Sequence, residues 1–311
     1  MAKRFVKPLL PRNDFVFKRL MGGRANLRYL AKFLQSVLDL PEEEFKDISI
    51  IDPHLRRRFR GDKLCILDVR VRTRSGRVID VEIQVDPVPG MFDRIQYYGS
   101  RLVSEQVGTG RDYANMPQAI SIFILNFRLI ESDGRYRHCF RLHDAEAGVG
   151  FPNSLEIHIF ELKKLPKESD GTALWNWLKF FASERKPEFE ALARKDALMA
   201  EVYGTLLELS ADEKTRLLAE SREKARRDYI ARMRGSREEG LAKGMEKGLA
   251  KGRVEGEIES ILRVLAARFG PVPKNIQRNV RSCSDLDALG SLSIHAATCE
   301  TLSEFRERLM A

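Results

Sequence analysis

Apolar residues recur at helical spacing from Asp14 to Leu40, through Phe15, Phe17, Leu20, Leu27, Leu30, Phe33, Leu34, Val37 and Leu38. Gly22-Gly23 divides that run into two helices, and Pro41 with Glu42 to Glu44 ends the second. The period then shortens to that of a strand. Leu64, Ile66, Leu67, Val69 and Val71 precede Ser75-Gly76, and Val78, Ile79, Val81, Ile83 and Val85 follow it. β-Branched runs on both sides of a Ser-Gly turn predict a hairpin. Pro87 and Pro89 close it, and Met91 to Gly108 reads as a helix with Ile95, Tyr98, Leu102 and Val107 near one face. Ala119 to Phe127 is almost wholly apolar, as a strand buried on both faces would be. Tyr136 to Leu142 and Ser154 to Leu162 predict two more strands. Residues 1–168 therefore read as one α/β domain on a mixed sheet.

The pattern beyond Asp170-Gly171 is helical. Residues 169–237 form a helical extension, with Leu174, Trp175, Trp177, Leu178, Phe180 and Phe181 at packing positions. Ser210-Ala211-Asp212-Glu213 has the form of a capping box opening another helix. In residues 238–257 glycine recurs every fourth position, at Gly240, Gly244, Gly248, Gly252 and Gly256. Each glycine costs a helix about 0.5–1 kcal/mol relative to alanine. The segment is therefore either a frayed helix or linker, or a helix whose glycine stripe admits a partner helix. Residues 258–311 form a small helical module, with a helix stop at Gly270-Pro271.

Composition narrows the function classes. Lys and Arg number 54 against 45 Asp and Glu, a net charge of +9 that favours polyanionic partners. The longest strongly apolar run, Ala119 to Leu125, is far shorter than the ~20 residues that span a bilayer. Met1 to Arg4 lead into no apolar segment of the secretory kind, which points to a soluble, cytoplasmic protein. No segment joins a basic face to a broad apolar one, as membrane-surface binding requires. Cys65, Cys139, Cys283 and Cys299 are widely spaced, fit no disulfide framework, and read as buried free thiols. His138, Cys139 and His143 lie close together but match no standard metal-ligand spacing.

The hairpin carries the chemistry. Asp68 interrupts one apolar strand, and Glu82 and Gln84 interrupt the other; buried carboxylates without partners are costly. Register decides whether they meet. A tight turn on Ser75-Gly76 alone sets Asp68 opposite Ile83 and turns it away from Glu82 and Gln84. A longer loop, Arg74-Ser75-Gly76, pairs Thr73 with Arg77, uses Gly76 in the left-handed region, and brings Asp68 to within ~5 Å of Glu82. Gln84 then projects from the same face. Carboxylates that close repel, so one holds its proton or a cation joins them. Mg²⁺ or Mn²⁺, as one or two divalent ions, suits such oxygen ligands, and the backbone carbonyl of Ile83 could add another. An ion there would polarise a phosphoryl oxygen and lower the pKa of bound water.

An Asp followed, in the partner strand, by Glu-x-Gln resembles the core of the PD-(D/E)XK nucleases. More closely, the chain resembles the recombination-promoting nucleases and PD-(D/E)XK-family transposases of bacteria. The matching stretches are Asn13 to Lys18, Leu67-Asp68-Val69, Val81 to Gln84, Arg94 with Tyr97-Tyr98, and Gln106, Gly110 and Tyr113. Arg222 to Ala225, Asp228-Tyr229, Arg237 to Gly240 and Arg268-Phe269-Gly270 extend the likeness toward the C-terminus. The resemblance implies a restriction-endonuclease-like mixed-sheet core followed by an α-helical C-terminal region. It also implies metal-dependent DNA cleavage linked to recombination or mobile elements. Asp68 and Glu82 would hold the ion, Gln84 would complete the catalytic set, and Asp14, the acidic residue of the first helix, can join the metal site. Gln84 stands where the broader superfamily has Lys, and offers a neutral hydrogen bond instead of a charge. Gln106 is a candidate phosphate or active-site contact.

Arg56, Arg57, Arg58 and Arg60 surround Phe59 just before the hairpin and could neutralise several phosphates. Trp175 and Trp177 suit helix packing better than base stacking. The expected function is a divalent-metal-dependent endodeoxyribonuclease acting on DNA, with no membrane partner. Double-strand cutting from a single site calls for a homodimer, for which the helical C-terminal region is the candidate. The competing reading is a catalytically weak or inactive DNA-binding and assembly protein of the same fold.

Overall fold

The computed structural model describes residues 7–55, 65–66, 68–106, 116–151 and 155–310. In chain order the first part comprises α1 (Asp14–Met21), α2 (Leu27–Val37), α3 (Glu43–Lys46), β1 (Ser49–Ile50), β2 (His54–Leu55), β3 (Cys65–Ile66), β4 (Val69–Arg72), β5 (Val78–Gln84) and α4 (Met91–Ser104). Then follow β6 (Ala119–Leu125), β7 (Arg137–Arg141), β8 (Glu156–Glu161), α5 (Ala173–Ala182), α6 (Lys186–Lys195) and α7 (Ala197–Ala211). The remainder is α8 (Glu213–Phe269), α9 (Lys274–Ser282), α10 (Leu286–Thr298) and α11 (Leu302–Met310).

A mixed six-stranded sheet has the order β1-β4-β5-β6-β8-β7. β5, β6 and β8 run parallel at its centre, and antiparallel strands flank them. The central strands are rich in Val and Ile because both faces are covered. On one face Val69, Val71, Ile79, Val81, Ile83, Ile120, Ile122, Ile124 and Phe160 join a core with α1, α2, α5 and α7. On the other, Val78 and Ala119 meet Leu102, while Phe123, Leu125 and Ile159 meet Met91 and Ile95. The second face is thus closed by α4. By strand alternation it is also the face that carries Asp80, Glu82 and Gln84.

The hairpin adopts the longer loop. Thr73 N–H donates to the Arg77 carbonyl at 2.9 Å, and Gly76 has φ of 91°, where a glycine avoids the Cβ clash. The β4–β5 ladder pairs Val69 with Val81, Arg70 with Asp80 and Arg72 with Val78. The first strand is not continuous, however. β3 leaves this sheet to pair with β2, and Asp68 occupies the bend between β3 and β4. The helix expected to run to Gly108 ends at Ser104. Ser210 is not the cap of α8 either. Its hydroxyl donates back to Leu206 O and accepts from Leu9 N–H, while Asp212 accepts from Thr215 N–H at 2.8 Å.

Contacts divide the chain into compact units Met1–Arg226 and Arg227–Ala311, and the boundaries expected at 168 and 237 do not coincide with that division. α5 to α7 belong to the first core: Trp177 is 1% exposed, and Trp177, Phe181 and Phe33 form an aromatic cluster with centroids 5.6–6.0 Å apart. The second unit has its own core of Ile258, Ile261, Leu265, Val280, Leu289 and Phe305. The glycine-rich residues 238–257 are helical throughout, inside the 57-residue α8. Of the thiols expected to be buried, Cys299 is, but Cys139 is exposed and Cys283 half-buried; all three are free.

Phe181 also touches Phe17 edge-on at 5.6 Å, so it ties α1, α2 and α5 together. Phe181→Ala should destabilise the first unit by about 3–5 kcal/mol. That is measurable as a lowered denaturant midpoint with an unchanged m-value.

Candidate active site

Asp68 and Glu82 are brought together by reciprocal contacts. The backbone N–H of Asp68 donates to Glu82 Oε1 at 2.8 Å, and Asp68 Oδ2 accepts from the backbone N–H of Ile83 at 2.9 Å. The hairpin register, continued one step past Val69–Val81, sets the two residues opposite each other. Because β4 has just begun, the Asp68 carboxylate takes the place of a strand carbonyl in accepting from Ile83.

Helix α1 supplies a cation. Asn13 caps it, accepting from Phe15 N–H at 3.1 Å and Val16 N–H at 3.3 Å, so Asp14 is the first helical residue and not the cap. Val16, Phe17, Leu20 and Met21 are buried, which fixes the roll of the helix about its axis. That roll sends Lys18 toward the hairpin, where its Nζ lies 2.9 Å from Asp68 Oδ1. Asp14, one turn earlier on the same side, adds negative potential at Asp68. Asp14, Asp68 and Glu82 do not, however, place one ligand oxygen each within 4.8 Å of one another.

Burial governs the charges here. Glu82 is 1% exposed. Desolvation, reinforced by the charge of Asp68, pushes its carboxyl up to about 8, although the Asp68 N–H, Arg94 and Lys18 pull the other way. Burial also raises Asp68, against the pull of Lys18 and the Ile83 N–H. A third acid belongs to the group. Asp80, 1% exposed, lies on the Glu82 face of β5, and neither of its oxygens has a hydrogen-bond partner among the described residues. Burial and then Glu82 and Asp68 drive its carboxyl well above the ordinary range. Arg70, opposite it in the ladder, gives its Nη1 to Glu105 Oε2 at 3.0 Å and Asp52 O at 3.3 Å.

The other expected residues fall as follows. Gln84 ends β5, half-buried on the face of Glu82, and its carbonyl accepts from Asn126 N–H at 2.8 Å. Gln106 is buried in the turn after α4, not on the helix expected to carry it. Arg56, Arg57, Arg58 and Arg60 lie outside the described residues. The pattern of polar residues within apolar strands pointed to Glu82 and Gln84 but passed over Asp80, which obeys the same alternation. Lys18 was signalled by its spacing from Asp14, and Arg94 by its place one helical turn before Tyr98, whose ring its guanidinium covers at 5.1 Å.

A family model described as "PD-(D/E)XK nuclease family transposase" matches residues 11–236. The chain belongs to that family. No curated protein and no solved structure matches it. The matched span takes in the whole mixed sheet and α1 to α7, and the fold is the restriction-endonuclease-like α/β core of PD-(D/E)XK proteins with a helical region after it. Divalent-metal use is general in such nucleases. The donor set here fits an ion of that kind: two carboxylates face each other, both reluctant to ionise without more positive charge than Lys18 and Arg94 supply.

This environment has a measurable signature. With no divalent ion, the folded state holds the Glu82 proton up to about 8, against an ordinary 4.5 in the unfolded chain. The folded state therefore binds more protons between those values, so this contribution to stability is full below the lower one and is lost as pH rises through the upper. Asp68 acts in the same direction. Metal-free protein should lose melting temperature between pH 5 and pH 9, and Glu82→Gln should flatten that decline by several degrees at the alkaline end. Parallel profiles for the two proteins would contradict the charge environment described.

Proposed function

We propose that the protein is a divalent-metal-dependent endodeoxyribonuclease that hydrolyses DNA phosphodiesters in the service of recombination or of a mobile element. The observation that carries this reading is the clasp of Asp68 and Glu82 with Lys18 beside them, within a chain of the PD-(D/E)XK nuclease family. Asp68 and Glu82 would hold Mg²⁺ or Mn²⁺, with the Ile83 carbonyl as a further oxygen. When bound, such an ion polarises a phosphoryl oxygen and makes water a better nucleophile. Lys18 brings the positive charge that Gln84 lacks, from α1 instead of β5. It would balance charge that builds on the scissile phosphate. Gln84 orients water or phosphate through its amide. Asp80, whose carboxyl burial pushes well above the ordinary range, is disposed to keep its proton and so to limit the negative charge facing a bound phosphate. The arginines at 56, 57, 58 and 60 would hold the DNA backbone.

A second reading, in which the same face binds DNA without cutting it, draws support from the neutral Gln84 and from the ammonium already resting on Asp68. Supercoiled-plasmid nicking with Mg²⁺ or Mn²⁺ separates the two. Asp68→Ala and Glu82→Ala should reduce cleavage to background, and Lys18→Met should lower it by roughly 100-fold while leaving DNA retention intact. Equal cleavage by wild type and all three variants would remove the site assignment. Retention with no metal-dependent nicking by the wild type would establish the binding reading.

We also propose that two copies pair through α8. Leu241, Met245 and Leu249 are each more than half exposed and stand beside glycines around which a Cβ would meet nothing within 4 Å. Replacing the three with Lys should halve the mass measured by light scattering; an unchanged mass would place the contact elsewhere.

A further inference from the structure

Away from the carboxylate site, the sheet carries a second group of ligand-bearing side chains. β7 pairs antiparallel with β8 so that Cys139 stands opposite His158 and Arg141 opposite Glu156. By strand alternation Cys139, His158 and Glu156 share one side. Cys139 Sγ lies 3.9 Å from His158 Nε2 and 3.7 Å from Glu156 Oε1, and those last two atoms are 2.6 Å apart. His158 is 2% exposed and Glu156 8%, whereas Cys139 is open to solvent.

We propose that Cys139, His158 and Glu156 form a binding site for a zinc-class divalent ion, separate from the nuclease-type site. Zinc bonds of about 2.3 Å to sulfur and 2.0–2.2 Å to nitrogen and oxygen, in a tetrahedron, set ligand atoms roughly 3.3–3.6 Å apart. The two sulfur separations already stand within a few tenths of an ångström of that. The His158–Glu156 separation has to widen by about 0.7 Å on the same geometry, and the bond from Arg141 Nη2 to the same oxygen has to yield.

Glu156 is already held from its outer side. Glu156 Oε2 is held by Arg141 Nε at 2.9 Å and Gln118 Nε2 at 3.4 Å. Oε1 carries the bonds that would yield, from His158 and from Arg141 Nη2 at 3.1 Å. A ligating carboxylate whose second oxygen stays hydrogen-bonded is the usual outer-shell arrangement. Cys139, open to solvent, leaves the outer side of the cluster accessible to water as the fourth ligand.

The donor set also decides the ion. Thiolate, imidazole and carboxylate together suit zinc, while Mg²⁺ and Mn²⁺ prefer oxygen. β7 is the edge strand and is largely exposed, so an ion bridging Cys139 to β8 would fasten the sheet's edge.

Cobalt(II) reports this site directly, because only thiolate ligation gives a sulfur-to-cobalt charge-transfer band in the near ultraviolet. Titration of the full chain should produce that band with saturation at one cobalt per chain, and zinc should bleach it. Cys139→Ser should abolish the band and also the rise in melting temperature that zinc gives the wild type. Glu156→Gln should weaken cobalt binding at least tenfold. Asp68→Ala and Glu82→Ala should leave the band untouched, so failure of the nuclease reading and failure of this one are distinguishable. No band from the wild type, or a band that survives in Cys139→Ser, would overturn the proposal.

Discussion

Asp68 and Glu82 hold each other through their backbones. Each carboxylate accepts an N–H from the other strand's end of the hairpin, Glu82 from Asp68 and Asp68 from Ile83. The bond from Ile83 stands where a ladder bond would be had β3 continued into β4, whereas Asp68 and Glu82 themselves fall at a non-hydrogen-bonded position of the β4–β5 register. The clasp therefore depends on the strand break: with β3 continuing into β4, a backbone carbonyl would take the Ile83 N–H, and the Asp68 side chain would have no unpaired N–H to cap. The break also explains how two acids can be built into the interior of a sheet. A carboxylate that accepts backbone hydrogen bonds is partly compensated for the water it has lost.

The compensation is partial, and the proposed chemistry draws on what is left uncompensated. Glu82 and Asp80 stand two residues apart on one face of β5, under α4, with Asp68 across the hairpin. Three acids share few cations. Lys18 reaches one oxygen of Asp68, Arg94 acts on Glu82 from α4, and Arg70 is engaged by Glu105. The group is stable when it carries protons and stores repulsion when it does not. A divalent ion bound at the proposed site would replace protons, at a position defined by the backbone more than by mobile side chains. The second face of the sheet, packed on α1, α2, α5 and α7, has the opposite task. Its aromatic and aliphatic interlock fixes the roll of α1, and through it the position of Lys18.

Much of this was legible in the sequence. β-Branched runs gave β5 and β6, and the demands of Gly76 decided between two registers once Thr73 was seen to pair with Arg77. Asp68, Glu82 and Gln84 stood out as polar interruptions. What escaped reading was non-local. The apolar run 64–71 looks like one strand, because nothing within it marks where β3 departs to pair with β2. Asp80 is as regular an interruption as Glu82, yet its salience lies in Arg70 being occupied elsewhere. Trp177 and Phe181 read correctly as packing residues, but no local signal said that they pack under the sheet and so belong to the first unit. Ser210 offered a capping box by pattern, and lost to Asp212 because its hydroxyl was already bonded to Leu206.

The two proposed ion sites differ in the way coordination chemistry demands. The hairpin offers oxygen alone, from groups that resist ionisation, on a face where Lys18 already lends a charge. That environment disfavours a tightly held soft ion and suits a hard one exchanged with solvent and substrate. Beneath the opposite edge, β7 and β8 set sulfur, nitrogen and oxygen together, with Arg141 and Gln118 keeping one carboxylate oxygen in place. Zinc prefers such a mixture, and its tetrahedron is small enough to span two adjacent strands. The same sheet can thus sort two kinds of ion by donor type, with no need for either site to differ greatly in size or exposure. The structural consequence is also divided. An ion at the hairpin would relieve repulsion built into the centre of the sheet, whereas one at the edge would restrain a strand that the core alone holds on one side.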